Sequence, residues 1–177
     1  MPTAARPIRD AVPADAARIA EIYAPYVRDT AISFETEPPD AGEMARRIAE
    51  AQRAHAWLVL EDAGEVAGYA YGGPFMSRAA YSWAAAVSVY LDQGRRGTGA
   101  GRALYEALVA RLAARGHRTL LAGIALPNDA SLGLHRALGF EPVGTYRQIG
   151  WKLGRWHDVV WFQRTLTDDD APPAPIR

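Results

Sequence analysis

From Pro13 onward the apolar residues Ile19, Ile22, Tyr23, Tyr26 and Val27 recur at helical spacing, which predicts an amphipathic helix ending near Arg28. Pro13 suits its first position, whereas Val12 offers no oxygen to cap the open amides. A short extended segment, Pro7 to Arg9, precedes it, and Ala31 to Glu37 has strand or loop character. Asp40 with Glu43 forms a capping box, after which Met44, Ile48 and Ala51 mark one face of a second helix. At Ala56 to Leu60 the pattern changes: this segment, a polar turn and Val66 to Tyr71 predict an antiparallel hairpin. The long apolar run Tyr81 to Leu91 suits a buried central strand. Leu104, Leu108 and Leu112 then place a helix over Gly99 to Arg115, stopped by Gly116. Thr119 to Ala125 reads as a strand and Asp129 to Leu138 as a short helix closed by Gly139. Pro142 to Trp151 and His157 to Leu166 are strand-rich. Helices packed on a twisted sheet, parallel in part and antiparallel in part, are the expected α/β architecture.

Composition narrows what such a domain can do. At 177 residues, 49% of them hydrophobic, the chain supports one cored domain, assigned to residues 1–166, followed by a flexible acidic and proline-rich tail at 167–177. Lys and Arg together number 20 and so do Asp and Glu, so no global positive field draws nucleic acid or an anionic membrane, while a local anion site stays open. There is no cysteine, which excludes disulfides, thiolate nucleophiles and Cys-ligated metal, and fits a reducing compartment. No secretory signal or spanning segment is visible, and a cytoplasmic location is expected. His55, His117, His135 and His157 form no i,i+4 ligand pair. His157 and Asp158, adjacent on a strand, point to opposite faces, so no metal is expected.

The densest chemical signal is SVYLDQGRRGTGAGRALYEAL, where a strand ends at Leu91, glycines fall at 94, 97, 99 and 101, and a helix follows at once. Glycines let backbone amides turn towards a ligand, so the amides of residues 97–102 can converge on phosphate oxygens at a helix start, with Arg95 and Arg96 adding charge. The turn lacks the Lys-Ser or Lys-Thr pair of a mononucleotide loop and the glycine spacing of a dinucleotide fingerprint. A plain flexible connection is the competing reading. Further on, Asn128 stands at a helix entrance, where it can cap the helix or meet a ligand. His135 shares its helix with Leu132 and Leu138 and can equally be a core imidazole.

Arg96, Gly99 and Gly101 resemble the glycine motif of the GCN5-related N-acetyltransferase (GNAT) superfamily, in which the following amides grip the pyrophosphate of acetyl-CoA. That resemblance extends through Leu166 and implies a GNAT fold: a mixed central sheet with a splayed pair of parallel strands and helices on both faces. It implies acetyl-CoA contacts at Val89, Tyr90, Leu91, Arg96, Gly97, Thr98, Gly99, Ala100, Gly101, Arg102 and Asn128. His135 stands seven residues after the asparagine, where many members carry a tyrosine that protonates the departing thiolate. Histidine there resembles the phosphinothricin and methionine sulfoximine acetyltransferase branch, as do TAISFETEP, YAYGGPF, LPNDASLGLHRALGF and GRWHDVVW.

The implied reaction is direct attack of a small primary amine on the acetyl carbonyl, polarised by the Val89 N-H, with His135 protonating or orienting the leaving group. Arg78 is the expected cation for an acceptor carboxylate or phosphinate, with Phe34, Glu35 and Tyr81 lining the same pocket. One departure stands out: herbicide-acetylating members carry a glutamate where this chain has Ala86. A water chain, Glu35, or an amine that arrives neutral must then handle the proton. Another amino acid, a polyamine or a protein N-terminus remains an alternative acceptor, as does a non-catalytic acyl-CoA-binding role. Trp151, Trp156 and Trp161 suggest a homodimer face, as in related acetyltransferases.

Overall fold

The computed structural model describes residues 7–95 and 97–177. Seven strands form one sheet in the order β1-β2-β3-β4-β5-β7-β6. They are β1 (Ile8–Asp10), β2 (Trp57–Asp62), β3 (Glu65–Pro74), β4 (Ala84–Leu91), β5 (Thr119–Ala125), β6 (Glu141–Lys152) and β7 (Arg155–Thr165). Helices α1 (Ala16–Asp29) and α2 (Ala41–Ala54) cover one face. Their Ile19, Ile22, Met44 and Ile48 pack on Trp57, Val59, Tyr69 and Tyr90. Helix α3 (Ala100–Arg115) covers the other, with Leu104, Leu108 and Leu112 on Ala85, Val87, Leu120 and Phe162. Helix α4 (Asp129–Ala137) leads from β5 to Leu138 and Phe140 in that second core. Among the described residues no helix is long and apolar enough to cross a membrane.

Strand ends shift by one or two residues from the sequence reading, and three larger differences stand out. Residues Pro13–Asp15 form a 3-10 turn rather than the first turn of α1. Val12 has no capping oxygen, and the Asp15 carboxylate instead accepts from its N-H at 2.8 Å while bound by Arg9. The central strand starts at Ala84, because Ala79–Tyr81 is another 3-10 turn. Strand β3 continues past Tyr71 to Pro74, lengthening its pairing with β4. The chain after Leu166 adds no helix or strand. Its backbone is nonetheless tied to the body by Trp83 Nε1 donating to Ala174 O at 2.8 Å and Arg177 N to Arg115 O at 3.1 Å.

Beside this edge the rings of His55 and His117 stack 4.8 Å apart. Burial, with His117 and Arg115 adding repulsion, lowers the His55 pKa to about 4, and burial lowers that of His117. A histidine whose folded pKa lies below its unfolded value of about 6.5 binds more protons when unfolded. Its favourable contribution is therefore complete above about pH 6.5 and is lost as pH falls towards the folded value. Allowing for partial exposure, His55 alone should cost roughly 1 kcal/mol between pH 7.5 and 5, or about 2–4 °C in Tm. His55→Asn should flatten that part of a Tm-against-pH curve, and an unchanged slope would remove His55 from the account.

Candidate active site

Strands β4 and β5 run parallel but pair only at Ala84, Ala85 and Ala86 with Thr119, Leu120 and Leu121; beyond that they part. The outer sides remain paired, β4 to β3 up to Leu91 and β5 to β7 up to Ala125. Asp92 N donates to Ala67 O, which fixes the alternation of the β3-β4 ladder. Ala86, Ser88 and Tyr90 thus spend their backbone groups on β3, while Val87, Val89 and Leu91 turn theirs towards the gap. One of these groups is engaged by a tyrosine, Tyr26 Oη donating to Leu91 O at 2.6 Å, while Tyr105 Oη stands 3.5 Å from Val87 O. Val89 lies between them.

At the outer end of the gap the glycine turn enters α3. Gly97 and Gly99 have φ of +74° and +79°, and a Cβ at either would meet nothing within 4 Å. Here glycine serves backbone conformation and ligand approach, with no packing reason against a side chain. Gly99 is the N-cap, so the first amides of α3 point out of the helix start. Gly97, Gly99, Gly101 and Arg102 line a cavity of about 290 Å³ together with Val89, Leu91 and Asn128. Arg95 is ion-paired with Asp62, and Thr98 Oγ1 donates to Arg95 O at 2.8 Å, bracing the turn. Ala100 is buried at the first turn of α3, and Arg96 lies outside the described residues.

Inside the gap a smaller cavity of about 50 Å³ is lined by Val87 to Tyr90, Asn128, Ser131, Tyr105 and His135. Asn128 caps α4, its Oδ1 accepting from Ser131 N at 3.2 Å, which leaves its NH2 as the end able to meet a ligand. His135 is 3% exposed. Its Nδ1 lies 2.7 Å from Ser131 O, which can only accept, so Nδ1 carries the proton and Nε2 receives the Tyr105 hydroxyl at 3.0 Å. Burial lowers the His135 pKa and raises that of Tyr105, so both are neutral near pH 7. Tyr105 was not singled out from sequence. The available signal was a hydroxyl on the apolar face of a helix, where a buried tyrosine needs a partner.

On the α1/α2 side the gap opens into a third cavity, of about 450 Å³, lined by Phe34, Glu35, Ala86, Ser88, Tyr90 and Trp161. Among the described residues Glu35 is the one carboxylate on its wall. Arg47 holds it through two contacts of 2.7 and 3.0 Å, Tyr23 donates to it at 2.8 Å, and chiefly because of Arg47 its pKa is lowered. The segment carrying Phe34 and Glu35 is clasped by the β6-β7 hairpin: Lys152, 8% exposed, donates to Ser33 O at 2.6 Å. The Phe34 ring lies on Gly150 so closely that a Cβ there would stand 2.2 Å from it. Lys152 had no sequence signal, since bulges interrupt the alternation of β6.

Arg78 and Tyr81 are exposed on the loop between β3 and β4 and do not line this cavity. Tyr81 meets Phe75 edge-on, and Phe75 in turn meets Trp161 on the cavity wall. His157 and Asp158 diverge: His157 Nε2 meets Lys152 O at 2.9 Å while Asp158 accepts from Gln148 N at 2.8 Å. Among the described residues no group of three or more His, Asp or Glu side chains is placed to hold a metal ion. Gly150→Ala should raise the acceptor KM about tenfold through displacement of Phe34 and leave the KM for acetyl-CoA within about twofold. Equal effects on both constants would show that the clasp does not act on the acceptor side alone.

The acetyltransferase (GNAT) domain model matches residues 8–161. A phosphinothricin N-acetyltransferase of Streptomyces viridochromogenes is 40% identical over 170 residues, covering 96% of this chain and 92% of the relative. An L-methionine sulfoximine/L-methionine sulfone acetyltransferase of Pseudomonas paraeruginosa is 39% identical, covering 94% and 98%. The crystal structure of a phosphinothricin acetyltransferase from Sinorhizobium meliloti in complex with AcCoA superposes with a TM-score of 0.91 at 39% identity, covering 96% of this chain and 93% of that one.

Proposed function

The chain belongs to the GNAT acetyltransferase family and is an acetyl-CoA-dependent N-acetyltransferase acting on a small amine. From that premise we propose that its acceptor is amino-acid-like, of the phosphinothricin, methionine sulfoximine or methionine sulfone type, and attacks the acetyl group directly. The observation that carries this reading is the break in β4-β5 pairing after Ala86. It opens unspent backbone groups between the glycine-lined cavity on one side and the Glu35-lined cavity on the other.

In this reading the amides of residues 97–102 and Arg102 hold the pyrophosphate, and Val89 with Asn128 holds the arm that reaches into the gap. Bound acetyl-CoA supplies an activated acyl group, a thioester carbonyl that an amine can attack. The Val89 N-H stabilises the oxygen as negative charge develops on it. The amine nitrogen forms the new C-N bond, the C-S bond breaks, and the departing sulfur takes a proton from Tyr105, whose hydroxyl turns to it from His135 Nε2 and regains a proton from solvent once coenzyme A leaves. The ammonium proton leaves on the side of Glu35, which Arg47 keeps ionised. Arg78 contributes only if its loop folds inwards over the acceptor.

The reading extends to a homodimer, supported by Tyr146, Ile149, Trp151 and Trp156, large apolar side chains that β6 and β7 leave exposed. Thiol release from acetyl-CoA should be measured across phosphinothricin, methionine sulfoximine, methionine sulfone and common amino acids. Turnover of these amino-acid-like amines supports the acceptor class, and turnover restricted to polyamines or protein N-termini overturns it. A one-chain mass in light scattering would remove the dimer.

A further inference from the structure

A further cavity, of about 390 Å³, lies between α2 and strands β2 and β3. Its walls are the rings of Trp57, Tyr69 and Tyr71 and the side chains of Met44, Ala51 and Ala54. The Trp57 indole stacks on Tyr69 and Tyr71 with centroids 5.4 and 4.4 Å apart, a packed aromatic stack in which Tyr71 is the more exposed ring. None of the chemistry described above uses this space. It is, however, next door to the acceptor cavity. Tyr23 lines both, and the Arg47-Glu35 ion pair has its arginine in one and its carboxylate in the other.

The floor between the two cavities is set by strand register. Gly73, which lines the first cavity, is the direct cross-strand partner of Ala86, which lines the second. Directly opposed residues project from the same face of a sheet, and their side chains fill the space between them. Here that pair amounts to a hydrogen and a methyl group, and a Cβ built at Gly73 meets nothing within 4 Å. The next pair along, Tyr71 and Ser88, is hydrogen-bonded and bounds the opening on one side. The glutamate expected at position 86 by resemblance would occupy this opening, so its replacement by alanine changes access as well as proton chemistry.

We propose that the Gly73-Ala86 opening joins the two cavities, and that this protein accepts primary amines whose side chain is aromatic or long and apolar, seated against Trp57, Tyr69 and Tyr71. The inference rests on the acetyl-transfer reading and specifies the acceptor's side chain. The amine remains at Ser88 and Glu35 beside the gap, and its apolar end enters the aromatic-walled cavity, leaving water. Burying a side chain of that size favours it over a compact one by at least about tenfold in kcat/KM.

Thiol release with phenylalanine and tryptophan is compared with methionine sulfone, in wild type, Gly73→Val and Ala54→Leu. Valine fits a strand position with open space above it and narrows the opening; Ala54→Leu fills part of the cavity itself. The expected result is a wild-type preference for the aromatic amines, and a fall of about tenfold or more in the aromatic-to-compact kcat/KM ratio in both variants. An unchanged ratio in both, or turnover of methionine sulfone with none of the aromatic amines, overturns the pocket and leaves acetyl transfer standing. If no amine is turned over, tryptophan binding is read by thermal shift. A shift present in wild type and lost in Ala54→Leu retains the pocket and sinks the transfer reading, and no shift sinks both.

Discussion

Gly99→Glu is expected to lower acetyl-CoA affinity by at least about 100-fold while the protein stays folded. A Cβ at this position meets nothing within 4 Å, so no packing is lost. Two penalties fall on binding instead. The first is conformational: at φ +79° an L-residue is strained by roughly 1 kcal/mol and shifts the amides that follow it. The second is electrostatic, since a carboxylate about 4 Å from one phosphate charge costs about 4 kcal/mol at an effective dielectric of 20, less where solvent screens it. Calorimetric titration of wild type, Gly99→Gln and Gly99→Glu with acetyl-CoA separates the two. Glutamine carries the strain and bulk without the charge, and should lose about tenfold. If all three bind alike, the glycine turn is not the pyrophosphate site.

The same position shows how far the sequence could be read. Glycines at 94, 97 and 99 with a helix behind them need only local rules to suggest an anion site, and all three adopt left-handed backbone. The amphipathic helices were equally local, so α2 starts directly after its expected cap Asp40 and α3 falls within a residue of its expected bounds, ended by Gly116. What local rules could not supply was long-range pairing. The break after Ala86 depends on which strands flank β4 and β5, 35 residues apart in the chain at Ala86 and Leu121. The same holds for the clasp of Phe34 by Gly150, and for the Arg47 partner of Glu35. The register that sets Gly73 against Ala86 joins two unremarkable small residues, and neither carries a signal alone.

The family resemblance pointed to His135; the structure adds the group that this imidazole addresses. The Ser131 carbonyl fixes the His135 tautomer, so the ring presents an acceptor at Nε2, and the hydroxyl that meets it there is the Tyr105 phenol's. Tyr105→Phe should therefore lower kcat about 100-fold and leave the KM for acetyl-CoA within about threefold, since a lost general acid acts on the transition state. His135→Phe should act in the same direction but less strongly, because it leaves the donor in place and removes only its orientation, at the added cost of an unpaired buried hydroxyl. His135→Gln distinguishes orientation from packing. Its amide oxygen can accept from Tyr105 and should restore part of the rate that phenylalanine loses, although phenylalanine fills the site better. Steady-state kinetics on the three variants, with acetyl-CoA affinity measured separately, decides the matter. A Tyr105→Phe protein turning over within twofold of wild type would return proton delivery to water and leave His135 as a core residue.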